Sequence, residues 1–178
     1  MSGVWCLEKP FDTETRGHED TVKNLYLRVL EEFHYSRYTA YVMKVLMFYM
    51  PSFHYKTFEK SIPDAPDVDI SVEVTDCIVA LIQAEEDDPE KGKKILDKLI
   101  KNIKWLAGKF GTKKAVLHFF SHLSESRSDP EYARDLLDRA AERLEGAGYE
   151  AHVTPFGYFC EMKMHVGGES LAKVFKEF

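Results

Sequence analysis

An α/β fold of the α+β kind is what the sequence predicts: a single layered domain, a mixed sheet with helices packed on it. Three observations predict it. Apolar strand-like runs come early and are followed by strand–helix alternation. Two helical stretches open on the same Asp-Pro signal and stop at glycine. The chain has 178 residues, 44% hydrophobic and 30% charged, about one domain of ordinary globular composition. A doubly wound nucleotide-binding fold is not expected, because no glycine-rich loop joins a strand to a helix.

Residues 1–42 stand apart. Val22, Leu25, Val29, Leu30 and Phe33 recur at helical spacing, so one amphipathic helix is expected from about His18 to Phe33. Two accounts of this extension stay open: an accessory helix, or an upstream extension ahead of a native start at Met43. From Met43 the elements follow in order. Met43–Tyr49 reads as a buried first strand, and Phe53–Glu59 as a second strand returning after Pro51-Ser52. Two prolines and acidic turn formers make Ile62–Asp67 a loop. Val72–Gln83 is a long strand with its buried centre at Cys77–Ile82. A helix then starts with Asp88 as N-cap and Pro89 at its first position. It carries an apolar stripe of Ile95, Leu99, Ile103, Leu106 and Phe110, and ends before Gly111. Ala115–Phe120 is a strand. The second helix has Asp129 as N-cap and Pro130 next, buries Tyr132, Leu136, Leu137, Ala140, Ala141 and Leu144, and stops at Gly146. Strands at about Tyr149–Val153 and Phe156–Val166 follow, then a short helix from Glu169.

Composition excludes several functions. No apolar run reaches the ~18 residues of a membrane-spanning helix, and the N-terminus lacks the basic-then-apolar layout of a signal peptide. No membrane association is expected, and the expected location is the cytoplasm. Cys6, Cys77 and Cys160 form no C-x-x-C pair, which argues against a disulfide scaffold or a cysteine zinc site. His54, His118, His152 and His165 lack metal spacing, so neither a metal nor an organic cofactor is expected. Net charge is −6, against a broad electrostatic nucleic-acid binder.

Locally the balance differs. Nine lysines stand against one acid, Asp97, between Lys91 and Lys114. Lys94, Lys98 and Lys101 share a helical stripe with Lys91, in line with Trp105. The stripe is either a solvated face balancing the acids at 85–88, or a contact for tRNA phosphates and a splayed base.

Two segments carry candidate chemistry. Phe120-Ser121-His122-Leu123-Ser124 ends a strand, where side chains leave the packed layer and face a crevice. An imidazole between hydroxyls there suits orienting a water or binding a ribose hydroxyl; a plain loop histidine is the alternative. Thr154-Pro155-Phe156-Gly157-Tyr158-Phe159-Cys160 joins two strands through a rigid turn beside aromatics. It suits close backbone approach to a small ligand, or simply turns the chain.

Here the chain resembles the archaeal-type editing domain of threonyl-tRNA synthetase. Met43-Lys44-Val45-Leu46-Met47 with Phe53 and Tyr55 is similar to its first hairpin, and Cys77–Glu86 with Asp88-Pro89-Glu90 to its long strand and helix start. Residues 120–124 resemble its Phe-Ala-His-Leu-Ser segment, and Pro155-Phe156-Gly157-Tyr158 its Pro-Phe-Gly-Tyr signature. The resemblance covers 43–178 and implies a D-aminoacyl-tRNA deacylase-like fold. It implies hydrolysis of serine, or of D-amino acids, from threonine tRNA held by its acceptor end. The partners it implies are that tRNA, a threonyl-tRNA synthetase lacking its own editing domain, and a second copy in a homodimer. A chain ending at Phe178 is expected to act freestanding, in trans.

The chain departs from the family's pattern at several places. Phe159 and Cys160 stand where a second tyrosine and a lysine are usual, Lys173 where a glutamate of the last helix is usual, and Pro51 where an aspartate is. Candidate catalytic residues are thus His122, Cys160 and Lys173. Candidate substrate-binding residues are Phe120, Ser121, Ser124, Pro155, Phe156, Gly157, Tyr158 and Phe159. Three outcomes stay open: water attack assisted by the substrate with Lys173 returning a positive charge, a Cys160 nucleophile activated by His122, or binding without catalysis.

Overall fold

A computed structural model describes residues 42–178; the helix expected over 18–33 lies outside them. The elements are β1 (Lys44–Lys60), β2 (Ser71–Gln83), α1 (Asp88–Phe110), β3 (Lys114–Phe119), α2 (Pro130–Glu145), β4 (Glu150–Val153), β5 (Tyr158–His165) and β6 (Lys173–Glu177). They form one mixed sheet in the order β4-β3-β2-β1-β5, with β6 also on β1. β2, β3 and β4 run parallel, whereas β1 is antiparallel to β2, β5 and β6. The single layered domain with a mixed sheet is therefore present.

Strand alternation sends β-residues to two cores. Val45, Met47, Ile78, Ala80, Ile82, Ala115 and Leu117 pack against the α1 stripe and against Leu136, Leu137, Ala140 and Leu144 of α2. Both helices thus cover one face. Each fully buried Ile or Leu contributes roughly 1.5–3 kcal/mol. The opposite face holds a second cluster, Met50, Phe53, Tyr55, Val74, Cys77, Val79, Leu81 and Val116, with no helical residue among those described.

Three expectations are corrected. Met43–Tyr49 and Phe53–Glu59 are not two strands but one, β1. β1 changes partner halfway: β6 pairs with 44–48 and β5 with 52–60. Pro51 lies at the seam, where neither strand requires its missing N–H. Inward spacing jumps from two to three there, between Met50 and Phe53, and opposite, between Val74 and Cys77, where Asp76 has φ +52°. Because both strands make the jump, Met50↔Cys77 and Ser52↔Thr75 stay in register.

The helix expected from Glu169 is instead a turn followed by strand β6. Val174 and Phe175 suit a strand, and the free edge of β1 supplies partners that local sequence does not announce. Finally, Asp88 is not the N-cap. Asp87 precedes the helix without a side-chain cap, and the Asp88 carboxylate turns inward. The other helix starts as expected, with Asp129 accepting from the Glu131 N–H at 2.8 Å.

Candidate active site

β3 alternates across the sheet, so Ala115, Leu117 and Phe119 face the helices while Val116 and Phe120 join the second cluster. His118 shares that second face and is buried. Its Nδ1 lies 2.8 Å from Thr154 Oγ1 on the neighbouring strand end. Burial pushes its pKa down to about 4, so the ring is neutral at neutral pH.

Past Phe119 the chain leaves the sheet but stays tied to it. The Phe120 N–H donates to Ile82 O at 2.8 Å. The Phe120 ring meets the ring of exposed His122 edge-on, with centroids 5.2 Å apart, and Ser121 is half-buried between them. Gln83 then grips the loop twice: Oε1 accepts from Leu123 N–H at 3.1 Å and Nε2 donates to Ser126 O at 2.8 Å. The Ser126 hydroxyl accepts from Glu86 N–H at 3.1 Å. Lys44 Nζ donates to Ser124 Oγ at 3.2 Å and is paired with Glu85 Oε1 at 2.6 Å. Asp88 completes the clamp, accepting from Glu85 N–H at 2.8 Å and Met43 N–H at 3.1 Å. Burial raises the Asp88 pKa to about 6, against the two backbone donors that lower it.

Sequence reasoning missed Lys44, Gln83, Glu85 and Asp88. A signal was present: the two-residue period of Val79 and Leu81 continues through Gln83 and Glu85, yet 85–88 read as a solvated acidic run.

The Pro-Phe-Gly-Tyr segment points elsewhere. Phe156 packs on Phe119, centroids 5.3 Å apart, at the edge of the helix-side core. Gly157, at φ +84°, accepts through its carbonyl from Ser61 N–H (2.8 Å) and Ile62 N–H (3.1 Å). The Tyr158 hydroxyl donates to Pro66 O at 2.9 Å and accepts from Val68 N–H at 3.0 Å. Pro155 and Phe156 line a cleft of about 400 Å³ between the 62–68 loop and the start of α2, not the surroundings of His122.

Register places the remaining candidates. Cys160 lies opposite Thr57 and shares the face of the second cluster with Tyr55 and Met162; burial pushes its thiol pKa up. Lys173 lies opposite Phe48 on that same face, since the next residue, Val174, packs against the helix-side core. Phe159 projects from the other side and is 57% exposed, near Phe58, which a bulge leaves 69% exposed. So Cys160, Lys173 and His118 share a face with the strand end that presents His122. Among the described residues, no hydrogen bond or ring contact joins His122 to Cys160 or Lys173. Lys94, Lys98 and Lys101 are exposed on α1; Lys98 Nζ sits 5.7 Å from the Phe178 ring and Lys176 Nζ 5.8 Å from the Trp105 ring. No described helix is long and apolar enough to cross a membrane.

The profile of one family, the archaea-specific editing domain of threonyl-tRNA synthetase, matches residues 43–178. The threonine–tRNA ligase of Hyperthermus butylicus is 27% identical over 142 residues, 76% of this chain and 23% of that protein. The ligase of Nanoarchaeum equitans is 34% identical over 82 residues, 45% of this chain and 13% of that protein. The chain thus spans under a quarter of either ligase's length. Among solved structures, the c-Myc DNA unwinding element binding protein superposes with a TM-score of 0.54 at 12% identity, covering 76% of this chain and 98% of that one. The fold is D-aminoacyl-tRNA deacylase-like. With its profile matched from the first strand to the last, this chain belongs to the archaea-specific editing-domain family of threonyl-tRNA synthetase.

Proposed function

We propose that the chain is an aminoacyl-tRNA deacylase that removes serine, or D-amino acids, from threonine tRNA. The family match over 43–178 carries this reading. The geometry supports it: an exposed imidazole stands at the C-terminal end of a sheet strand, in a loop held by fixed polar contacts. The chemistry asks little more. A water oxygen attacks the ester carbonyl carbon, the ester C–O bond breaks, and the ribose oxygen leaves with a proton as the free amino acid forms. His122 orients the water, and the folded chain holds the ester in reach of it. Serine and threonine differ by one methyl, worth only ~1–3 kcal/mol of discrimination in a pocket, so a site that excludes the larger residue is a useful second sieve.

Cys160 is not the nucleophile in this reading, because burial raises its pKa and leaves it a neutral thiol. The exposed Lys94, Lys98 and Lys101 are available to tRNA phosphates.

A second reading is binding of the aminoacylated tRNA end without turnover. What favours it is that no acid or base hydrogen-bonds His122 among the described residues. Incubation of the chain alone with seryl- and threonyl-tRNA(Thr) separates the two. The deacylase frees serine faster than threonine, loses about 100-fold or more in rate with His122→Ala, and keeps its rate with Cys160→Ala. No loss of either amino acid above buffer overturns the proposal, and binding of an aminoacyl-adenosine analogue would then favour the second reading.

A further inference from the structure

A buried ion pair supports the His122 loop, and its construction is odd for a stabilising device. Glu85 is fully buried, and among the described residues one of its carboxylate oxygens has a partner while Oε2 meets no hydrogen-bond donor. Such a pair recovers little of its desolvation cost, and apolar side chains of similar volume would stabilise the fold as well or better. What the pair does achieve is geometric. It fixes the ammonium of Lys44, whose side chain is 19% exposed, at 3.2 Å from the Ser124 hydroxyl, two residues beyond His122.

The pair is itself held. Asp88 fixes the Glu85 backbone through one oxygen and the Met43 backbone, next to Lys44, through the other. Lys44 on β1, Glu85 after β2 and Ser124 after β3 are 41 and 80 residues apart in contact terms, yet meet at one point. Gln83 grips the same loop through backbone atoms of Leu123 and Ser126. Gln83 therefore holds the path of the chain, and Lys44 adds one directed contact to a side chain.

We propose that Lys44, oriented by Glu85, is a positioning residue of the reaction: it holds Ser124 and thereby sets the His122 loop in its working geometry. The inference rests on the deacylase reading. It assigns to a lysine of β1 a role in the His122 loop that the sequence pattern alone would give to Lys173 on β6.

The test uses the full chain and seryl-tRNA(Thr). Lys44→Met alone would strand a buried charge, so the main variant is Lys44→Met/Glu85→Met, with folding checked by thermal melting. It is expected to lower kcat at least tenfold with KM within twofold of wild type. Lys44→Arg, which keeps charge and donors, should return kcat to within about threefold. Ser124→Ala should lower kcat comparably, and adding it to the main variant should cost little more, because both act through one contact. A folded main variant with wild-type kcat overturns the proposal, as does full additivity with Ser124→Ala. Amide exchange across 121–125 gives a readout independent of turnover. At least tenfold loss of protection is expected in the main variant, and unchanged protection overturns the role of Lys44. If wild type itself does not hydrolyse, the deacylase reading fails on that result, while exchange still decides whether Lys44 holds the loop.

Discussion

The segment around His122 and the segment around Gly157 are held in place by opposite means. The first is gripped by polar side chains that reach from β1 and from the end of β2, themselves braced by Asp88 in the first turn of α1. The second is set by shape and backbone: a glycine carbonyl takes two N–H donors, and a Cβ at that glycine would come within 2.9 Å of Ala65 Cβ. A charge-built clamp depends on protonation and on keeping its partners together. A shape-built turn is indifferent to pH and intolerant of added atoms. The candidate chemistry sits on the charge-built side.

The largest effect should come from dividing the clamp. Lys44→Met alone leaves the Glu85 carboxylate buried and unpaired, and is expected to lower stability by about 3–5 kcal/mol in urea unfolding. If Lys44→Met costs under about 1 kcal/mol, the charged clamp does not hold the first segment.

Protonation sharpens the contrast. Asp88, in the clamp, has its pKa raised from 3.8 to about 6, so its contribution is fully present below pH 3.8 and lost as pH rises through 6. His118, bonded to Thr154 just before the second segment, has its pKa lowered from 6.5 to about 4. Its contribution is present above pH 6.5 and lost as pH falls through 4. Each is worth about 3 kcal/mol over that window, and the two slopes oppose. Relative to wild type, His118→Phe should gain stability at pH 4 over pH 6.5 by about that amount, and Asp88→Asn should show the reverse. Parallel curves for all three proteins would break the comparison.

Gly157→Ala combines left-handed backbone strain with a clash against Ala65 and Ile62, for about 2–3 kcal/mol of destabilisation that does not change between pH 5 and 8. The smallest effect is Tyr158→Phe, which removes two hydrogen bonds to the 66–68 loop and should cost about 1–2 kcal/mol. Its deacylation rate should be unchanged; a tenfold fall would return Tyr158 to the reacting site.

Much of the fold is legible because it is local. Asp129-Pro130, Gly111 and the 3.6-residue stripes of α1 and α2 can be read without knowing any partner. β1 and β6 are misread because their evidence is non-local. Pro51 breaks a strand only if a neighbour needs its N–H, and Leu171, Val174 and Phe175 fit a helical spacing until the free edge of β1 is known. At the candidate site, His122 stands out by residue type and position at a strand end. Its supports do not, since Gln83 and Lys44 act on residues 40 and 80 positions away. An acidic run at 85–88 looks solvated until two of its four carboxylates prove buried.

The seam at Pro51 divides the outer edge of the sheet into two separately anchored strips. β5 depends on the far half of β1, while β6 depends on the near half and on the turn that ties Tyr49 to Ala172 and Gly167. Opening one strip breaks no hydrogen bond of the other, so the C-terminal five-residue strand is a unit of local unfolding in its own right. Lys173 rides on that unit, whereas Cys160 and the His122 loop are anchored elsewhere. The charge of Lys173 is therefore carried by a strip whose backbone hydrogen bonds are separate from those that hold Cys160 and the His122 loop.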